Sequence, residues 1–423
     1  MKLFVAGMSY RTAPVAVRER YAVTPAQLAE RDAKLVRSAS LDEGAILSTC
    51  NRTEILGVSR AGEAALERMH RFLHAELGDG SAAAAHVYEL RDGEVVRHLF
   101  RVAGGLDSMV LGEAQILGQL KLAYRAAVDA RTTGPVLNRL FQHAFRTAKR
   151  IHHETGLGAA SVSVARVGVQ LAREIFESFD GKQVLLIGAG EMAESALRGL
   201  REAGASHPRV VNRTLATAVE LAGRHGGTAH PMESLAEELA RADVAISSVQ
   251  VDRPLIGRPE LERALAHRRG HPLLLIDLGV PRNVDTAVQA LENVYVYDLD
   301  DLEATAERGR ASRASAADAA GAIAREEGDR FLHWLAVLPH APTIRELRER
   351  LEAQALDEVR RTVSRLGAPG ESLEPELERM ARAIVAKLLH QPLEQLRREA
   401  SSGFAQYYAG ALRELFGLEE EDP

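Results

Sequence analysis

Cysteine is almost missing from this chain: Cys50 is the only one in 423 residues. A lone thiol excludes an internal disulfide framework and any zinc site built from several thiolates, and it makes a reducing, cytosolic compartment the natural setting. Long apolar runs are missing too. Stretches such as Val184 to Ile187 and Leu273 to Ile276 are strand-sized, far short of the roughly 18 residues that span a bilayer. The opening residues, Met1 to Gly7, carry too brief an apolar stretch for a signal peptide and read as a first strand. Cytoplasmic localisation without membrane contact is the expectation. An excess of positive charge is also absent. The formal net charge of -6 gives no global attraction to a polyanion, so a nucleic-acid partner requires a local basic patch, and no DNA partner is expected. No internal repeat or low-complexity tract stands out.

What is present is an ordinary globular composition, 46% hydrophobic and 26% charged, in a chain too long for one compact core. Three regions separate by rhythm. Residues 1–157 mix short strands (Leu3 to Met8, Ala45 to Ser48, Glu54 to Val58) with helical stretches (Thr24 to Arg37, Gly93 to Val102, Gln115 to Ala130, Pro135 to His153), an α+β pattern that Thr155-Gly156-Leu157-Gly158 breaks. Residues 158–301 alternate helices with buried-type strands at Gln183 to Ile187, Arg209 to Val211, Asp243 to Ser247, Leu273 to Asp277 and Val294 to Tyr297, which implies a parallel, doubly wound sheet.

Residues 302–423 read as helical. Leu302 to Leu338 is Ala-rich and poor in large apolar residues until Phe331, Trp334 and Leu335; as one helix it would run about 55 Å at about 1.5 Å per residue. Such a stretch suits a spacer between domains, although Gly309, Gly321 and Gly328 weaken it and Pro339 stops it. Thr343-Ile344-Arg345-Glu346 has the pattern of a capping box, opening a helix with Ile344, Leu347, Leu351, Ala355, Val359, Val363 and Leu366 on one face and its end at Gly367. A second amphipathic helix carries Leu377, Met380, Ile384 and Leu388. So small a unit buries its apolar faces best against a copy of itself, which predicts a homodimer.

The clearest chemical motif is Val184-Leu185-Leu186-Ile187-Gly188-Ala189-Gly190-Glu191-Met192-Ala193, a strand entering a GxGxxA turn and then a helix. Gly188 permits the tight turn, Gly190 lets backbone approach a pyrophosphate, and small Ala193 lets the helix pack on the sheet. At the end of the next strand, about 20 residues on, an NAD enzyme carries an acid for the ribose hydroxyl. Here the chain has Asn212-Arg213-Thr214, and a cation at that place suits a 2′-phosphate, hence NADP rather than NAD.

Cys50 falls in Thr49-Cys50-Asn51-Arg52, a polar bend between two strands. A cysteine of this kind is commonly inert, but a neighbouring Arg52 favours a thiolate, and a thiolate is a strong nucleophile. Hydride adds poorly to an oxygen ester and more readily to a thioester. A thiolate beside a hydride cofactor therefore points to an NADP-linked acyl-transfer oxidoreductase, without naming the acyl donor. Two other readings stay open on these residues: a small-molecule NADP dehydrogenase of the shikimate dehydrogenase kind, which needs no Cys50, and a dimeric nucleotide-sensing protein that binds NADPH without turnover.

The chain resembles the glutamyl-tRNA reductase family through Ser48-Thr49-Cys50-Asn51-Arg52-Thr53-Glu54 and through the long string Gly105-Leu106-Asp107-Ser108-Met109-Val110-Leu111-Gly112-Glu113-Ala114-Gln115-Ile116-Leu117-Gly118-Gln119. The likeness continues in Gly188-Ala189-Gly190-Glu191, Asp277-Leu278-Gly279-Val280-Pro281-Arg282 and Lys387-Leu388-Leu389-His390 and covers nearly the whole chain. It implies an α/β multidomain fold: an N-terminal α+β catalytic domain, a Rossmann-like doubly wound NADP domain, and a C-terminal helical dimerisation domain joined by a long helix. It also implies the first step of tetrapyrrole synthesis from glutamate, in which glutamyl-tRNA(Glu) and NADPH give glutamate-1-semialdehyde and free tRNA, with no metal or flavin. Glutamate-1-semialdehyde aminomutase is then a partner by resemblance.

By position in the motifs, Cys50 is the nucleophile and Thr49, Asn51, Arg52, Ser108, Glu113, Ala114, Gln115 and Gln119 surround the glutamyl group. Arg52 is the choice for its free carboxylate, since a guanidinium can bind one bidentately. His98 matches the family's functionally important histidine, a role that rests on the resemblance alone. Ala114 departs from the family, where many members have Pro; alanine frees φ and restores an N–H, loosening the loop without removing its polar groups. For tRNA, Arg139, His143, Arg146, Lys149, Arg150, His152 and His153 crowd one helical stretch and suit phosphates, with an ordinary solvated helix as the other reading.

Overall fold

The structure is a computed structural model that describes residues 1–77, 84–113, 115–155, 157, 164–176, 178–268, 271–308, 314–399 and 404–418. Ala114, Gly156, Gly158 and Gly309 lie outside the described residues. The chain divides into two compact units, Met1–Glu327 and Gly328–Pro423.

In the first unit, β1 (Lys2–Ser9), α1 (Val15–Arg18), a 3₁₀ turn (Glu19–Tyr21), α2 (Leu28–Ala39), β2 (Glu43–Ser48), β3 (Arg52–Ser59), α3 (Glu63–Phe72), β4 (Tyr88–Arg91), α4 (Gly93–Ala103), α5 (Gln115–Asp129) and α6 (Pro135–Thr155) make an α+β lobe. Among the described residues its sheet has four antiparallel strands in the order β2-β3-β1-β4. Alternate residues Phe4, Ala6 and Met8 of β1 face the same way and meet Leu28 and Leu35 of α2 and Leu66, Met69 and Phe72 of α3 in one buried cluster. Gly7 is needed where β1 passes β3, because a Cβ there would lie 2.6 Å from the Thr53 carbonyl oxygen and 2.7 Å from the Glu54 Cα.

There follow α7 (Val164–Phe176), β5 (Val184–Ile187), α8 (Glu191–Glu202), β6 (Arg209–Asn212), α9 (Leu215–Arg224), β7 (Thr228–Pro231), α10 (Leu235–Arg241), β8 (Val244–Ser247), α11 (Arg258–Leu265), β9 (Leu273–Asp277), β10 (Val294–Tyr297) and α12 (Leu299–Arg308). Among the described residues the second sheet is six-stranded and parallel, in the order β10-β9-β8-β5-β6-β7. Counted within this lobe the order is 3-2-1-4-5-6, the doubly wound dinucleotide-binding arrangement, with its switch point between β5 and β8. Val184 and Leu186 pack toward α7, α8, α9 and α12, while Leu185 and Ile187 pack toward α10 and α11. Burial on both faces explains why β5, β8 and β9 read as continuous apolar runs. Each buried Leu or Ile contributes about 1.5–3 kcal/mol.

The remaining helices are α13 (Ala314–Val337), α14 (Ala341–Leu366), α15 (Ala368–Arg398) and α16 (Phe404–Phe416). The expected capping box is not a cap. A 3₁₀ turn at Leu338–His340 leads directly into α14, and Thr343 lies inside that helix, its hydroxyl accepting from Arg413 Nε at 2.9 Å. Pro339 and Pro342 fit first-turn positions, where no N–H is required, so proline punctuates here without breaking. The apolar face of α14, from Ile344 to Val363, is covered within the chain by Leu377, Ala381, Val385, Leu389 and Leu393 of α15 and by Leu412 and Leu418. The uncovered stripe belongs to α15 instead, where Met380, Ile384 and Leu388 are 54%, 48% and 70% exposed. No helix among the described residues is long and apolar enough to cross a membrane.

Candidate active site

The turn between β2 and β3 builds the first wall of the site. The Thr49 hydroxyl accepts the N–H groups of Asn51 at 3.1 Å and Arg52 at 3.2 Å, and its own N–H donates to the Arg52 carbonyl at 2.8 Å. A bend closed this tightly leaves Cys50 at its tip. From behind, Arg18 Nη1 donates to the Cys50 carbonyl at 2.6 Å.

Arg52 and Glu54 are two apart on β3 and share a face, so their side chains meet, Nη1 to Oε1, at 2.7 Å with both buried. Register explains how the other partners reach them. Glu54 and Tyr88 both pair with Gly7 of β1, and the missing side chain at Gly7 leaves room for the Tyr88 hydroxyl to donate to Glu54 Oε1. His98 Nε2, on α4, lies 3.0 Å from the same oxygen. Burial works against the Glu54 charge, but His98, Arg52 and the Tyr88 hydroxyl outweigh it and hold the carboxyl well below its ordinary range. Arg52 Nη2 donates to the Asp107 carbonyl, which ties the bend to the 105–113 loop, and Arg101 clamps Asp107 with contacts of 3.1 and 3.0 Å. Gly112 of that loop has φ +81°, and a Cβ there would sit 2.7 Å from the Leu157 carbonyl oxygen.

Cys50 is half-buried against the core of the parallel sheet. Burial, with the neighbouring Glu113 carboxylate adding to it, pushes its thiol up to about 12; Arg18 and Arg52 pull the other way without prevailing. The thiolate that Arg52 was expected to favour is therefore a minor species at neutral pH. Glu113 is itself pushed up to about 7 by burial, against a hydrogen bond from the Val164 backbone. Glu113→Gln removes the repelling charge, so alkylation of Cys50 by iodoacetamide should speed up several-fold above pH 7. The difference should vanish below that pH, where the parent's Glu113 is already neutral. An unchanged rate at pH 8 would show that Glu113 does not hold the thiol in its protonated form.

The second wall is the dinucleotide turn. Gly188 has φ +111°, and a Cβ on it would meet the Ser248 carbonyl oxygen at 2.8 Å, so only glycine fits where β5 passes β8. Gly190 is the N-cap of α8 and no side chain among the described residues caps that end, so the first helical N–H groups suit an anion. Ala193, in the first turn of α8, is buried in the cluster that holds Val184 and Leu186 of β5. Arg213 is exposed at the end of β6, beside Asn212, whose Nδ2 donates to the Thr214 carbonyl at 3.0 Å, and among the described residues no carboxylate pairs with it. A third wall is the 278–283 loop. Asp277 accepts the N–H groups of Gly279, Asn283 and Val284, and Asn283 bonds Ser247 and both backbone groups of Val249. These groups fit a dinucleotide.

The walls enclose one cavity of about 700 Å³, a size typical of cofactor sites. Thr49 and Cys50 border it together with Gln115, Gln119, Ala189, Gly190, Glu191, Met192, Asn212 and Arg213. Gln115 and Gln119 sit one turn apart at the start of α5 and so share a face. Asn51, Arg52, His98, Ser108, Glu113, Gly188, Ala193 and Thr214 are not in the lining. Among the described residues the buried Asn51 Oδ1, Arg52 Nε and Gln115 Oε1 have no hydrogen-bond partner, which marks them as atoms open to one. Reading by sequence left out Glu54, Tyr88, Arg18 and Asn283. A charged pair two apart in an otherwise apolar strand was the available signal for Glu54.

The basic helix α6 is partly neutralised within the chain. His143 Nε2 lies 2.6 Å from Glu327, and Arg150 pairs with Glu154, Glu326 and Glu327, each at 2.8 Å, while Arg146 and Lys149 are exposed.

Three family models match in succession: glutamyl-tRNAGlu reductase N-terminal domain over residues 6–155, shikimate/quinate 5-dehydrogenase over 170–305, and glutamyl-tRNAGlu reductase dimerisation domain over 319–418. A glutamyl-tRNA reductase of Rubrobacter xylanophilus is 43% identical over 99% of this chain and 97% of its own. Another, of Magnetococcus marinus, is 42% identical over 100% of both chains. The solved glutamyl-tRNA reductase of Methanopyrus kandleri is similar at 30% identity over 96% of this chain and 98% of that one, with a TM-score of 0.47. With the family's N-terminal domain, a dehydrogenase-type nucleotide-binding domain and the family's dimerisation domain matched in order, and with relatives at this identity over their full length, the chain belongs to the glutamyl-tRNA reductase family of oxidoreductases.

Proposed function

We propose that the chain uses NADPH to reduce the glutamyl group of glutamyl-tRNA(Glu) to glutamate-1-semialdehyde, through a thioester on Cys50, as the first step of tetrapyrrole synthesis. One observation carries this reading: Cys50 and the dinucleotide turn border the same cavity. In this scheme the Cys50 sulfur attacks the ester carbonyl and the bond to the ribose oxygen breaks. The tRNA hydroxyl leaves with the thiol proton and the acyl group stays on sulfur. Because the thiol is pushed up to about 12, that proton departs during attack rather than before it. When bound, NADPH would supply the hydride to the acyl carbon; the C–S bond breaks, the aldehyde leaves and the Cys50 sulfur takes a proton from water.

The chain's own groups then position the acyl carbon. Thr49 holds the bend, and Gln115 and Gln119 face the cavity. Glu54 and Asp107 engage two of the five N–H donors of Arg52, which lies behind the lining, and Nε, without a partner among the described residues, is a proposed donor to the substrate carboxylate. His98 acts through Glu54 as a positioning residue. We assign residues 1–157 to substrate binding and catalysis, 158–301 to NADPH, and 302–423 to the connecting helix and the homodimer, with the uncovered stripe of α15 as its surface. Arg146 and Lys149 are proposed phosphate contacts. The reactive aldehyde makes hand-over to glutamate-1-semialdehyde aminomutase part of the same reading.

The test is cofactor choice during semialdehyde formation. NADPH should be used far better than NADH, and Arg213→Glu should erase most of that preference by repelling the extra phosphate. Equal use of both by the parent enzyme would refute the assignment of Arg213.

A further inference from the structure

Two neighbouring residues of opposite charge, Arg18 and Glu19, reach from the α+β lobe to two residues of opposite charge in the nucleotide-binding lobe. Arg18, 1% exposed, spends its donors on three acceptors: Nε on the Ala13 carbonyl at 3.1 Å, Nη1 on the Cys50 carbonyl at 2.6 Å, and Nη2 on Asp300 Oδ1 at 2.6 Å. The second oxygen of Asp300 accepts the Val15 N–H at 2.8 Å, so this carboxylate grips α1 twice. Glu19 Oε2 accepts from Arg282, with its Nε at 3.0 Å and its backbone N at 3.3 Å. Arg282 directly follows Val280 and Pro281, which line the cavity, in the loop that Asp277 and Asn283 hold rigid.

Neither pair closes a contact inside its own lobe, and burying ion pairs is a poor source of stability. What the pairs do fix is geometry: one guanidinium touches both the backbone of the nucleophile and the nucleotide-binding lobe, and the adjacent carboxylate holds the loop bordering the cofactor side of the same cavity.

We infer that Arg18 and Glu19, with Asp300 and Arg282, are positioning residues that register the acyl group on Cys50 against the cofactor side of the cavity and so decide whether it is reduced or hydrolysed. The inference rests on the thioester reading above. In hydrolysis, water attacks the acyl carbon, the C–S bond breaks, glutamate leaves and the sulfur regains a proton. Reduction competes for the same carbon. Loosened registry should admit water and slow hydride delivery while leaving the earlier attack of Cys50 on the ester much less affected.

The experiment compares the parent, Glu19→Arg, Arg282→Glu and the charge-swapped double variant, each as full-length enzyme with glutamyl-tRNA. Three quantities are measured: the ratio of semialdehyde to free glutamate at saturating NADPH, the rate of Cys50 acylation without cofactor, and the NADPH dissociation constant by fluorescence. Each single variant should shift the ratio toward glutamate by about tenfold, the factor that corresponds to about 1.4 kcal/mol of lost positioning. Acylation should fall far less than reduction, and the swapped pair should recover most of the ratio. Asp300→Asn, which keeps shape while removing charge, reads the same ratio through the other pair. An unchanged ratio in the single variants and in Asp300→Asn, or a double variant as poor as the sum of its singles, would overturn the inference. Absence of a Cys50 adduct in the parent would instead overturn the thioester reading.

Discussion

Glu54→Gln should destabilise the α+β lobe by about 3–5 kcal/mol, because it strips the charge from one member of a buried ion pair and leaves the other uncompensated. The Arg52 guanidinium is 2% exposed and its strongest partner is Glu54 at 2.7 Å. A loss of this size is a large share of the about 5–15 kcal/mol that holds an ordinary domain. The sign of the pH dependence follows from the depressed carboxyl. The Glu54 contribution is fully present above its unfolded value of about 4.3. It is lost only as pH falls toward its lower folded value. At pH 7 the whole penalty should therefore appear. The suitable readout is hydrogen exchange of the β1 and β3 amides, which measures opening of this lobe by itself. Arg52→Met added to Glu54→Gln should recover part of the loss by removing the orphaned charge. If the single variant exchanged as slowly as the parent, the pair would not be the anchor of the bend.

Cys50→Ser should reduce semialdehyde formation by orders of magnitude while leaving NADPH binding intact. A serine hydroxyl is far less acidic than a thiol, and even after acyl transfer it would give another oxygen ester, which resists hydride. The cavity walls proposed to hold the cofactor, from Gly188 to Arg213 and along the 278–283 loop, do not depend on the sulfur, so NADPH fluorescence titration should give the parent's affinity. Loss of both binding and reduction would point to collapse of the cavity rather than to missing chemistry.

How much of this was legible in the sequence differs from element to element for physical reasons. The strands of the parallel sheet were visible because burial on both faces leaves unbroken apolar runs, as in Leu273–Asp277. The edge strands Thr228–Pro231 and Tyr88–Arg91 were not, since each is four residues long, holds no fully buried residue and has no apolar run to display. The Cys50 bend and the Gly188 turn were readable because local chemistry dictates both. The network behind them was not, since Tyr88 and Glu54 meet only through the register of three strands across Gly7, and His98 reaches Glu54 from α4. Arg18 and Asp300 are far apart in the chain and no local pattern pairs them. At Thr343 the sequence offered a capping box, and a preceding 3₁₀ turn that flows straight into α14 overrode it.

The thioester itself is open to direct detection. Full-length enzyme is mixed with glutamyl-tRNA in the absence of NADPH, quenched rapidly in acid, digested and mapped by mass spectrometry. A glutamyl adduct on Cys50 that builds up, hydrolyses slowly, and disappears with production of semialdehyde when NADPH is added is the expected result. Full semialdehyde production by Cys50→Ser, or a parent enzyme that reduces glutamyl-tRNA without Cys50 ever carrying the acyl group, would contradict it.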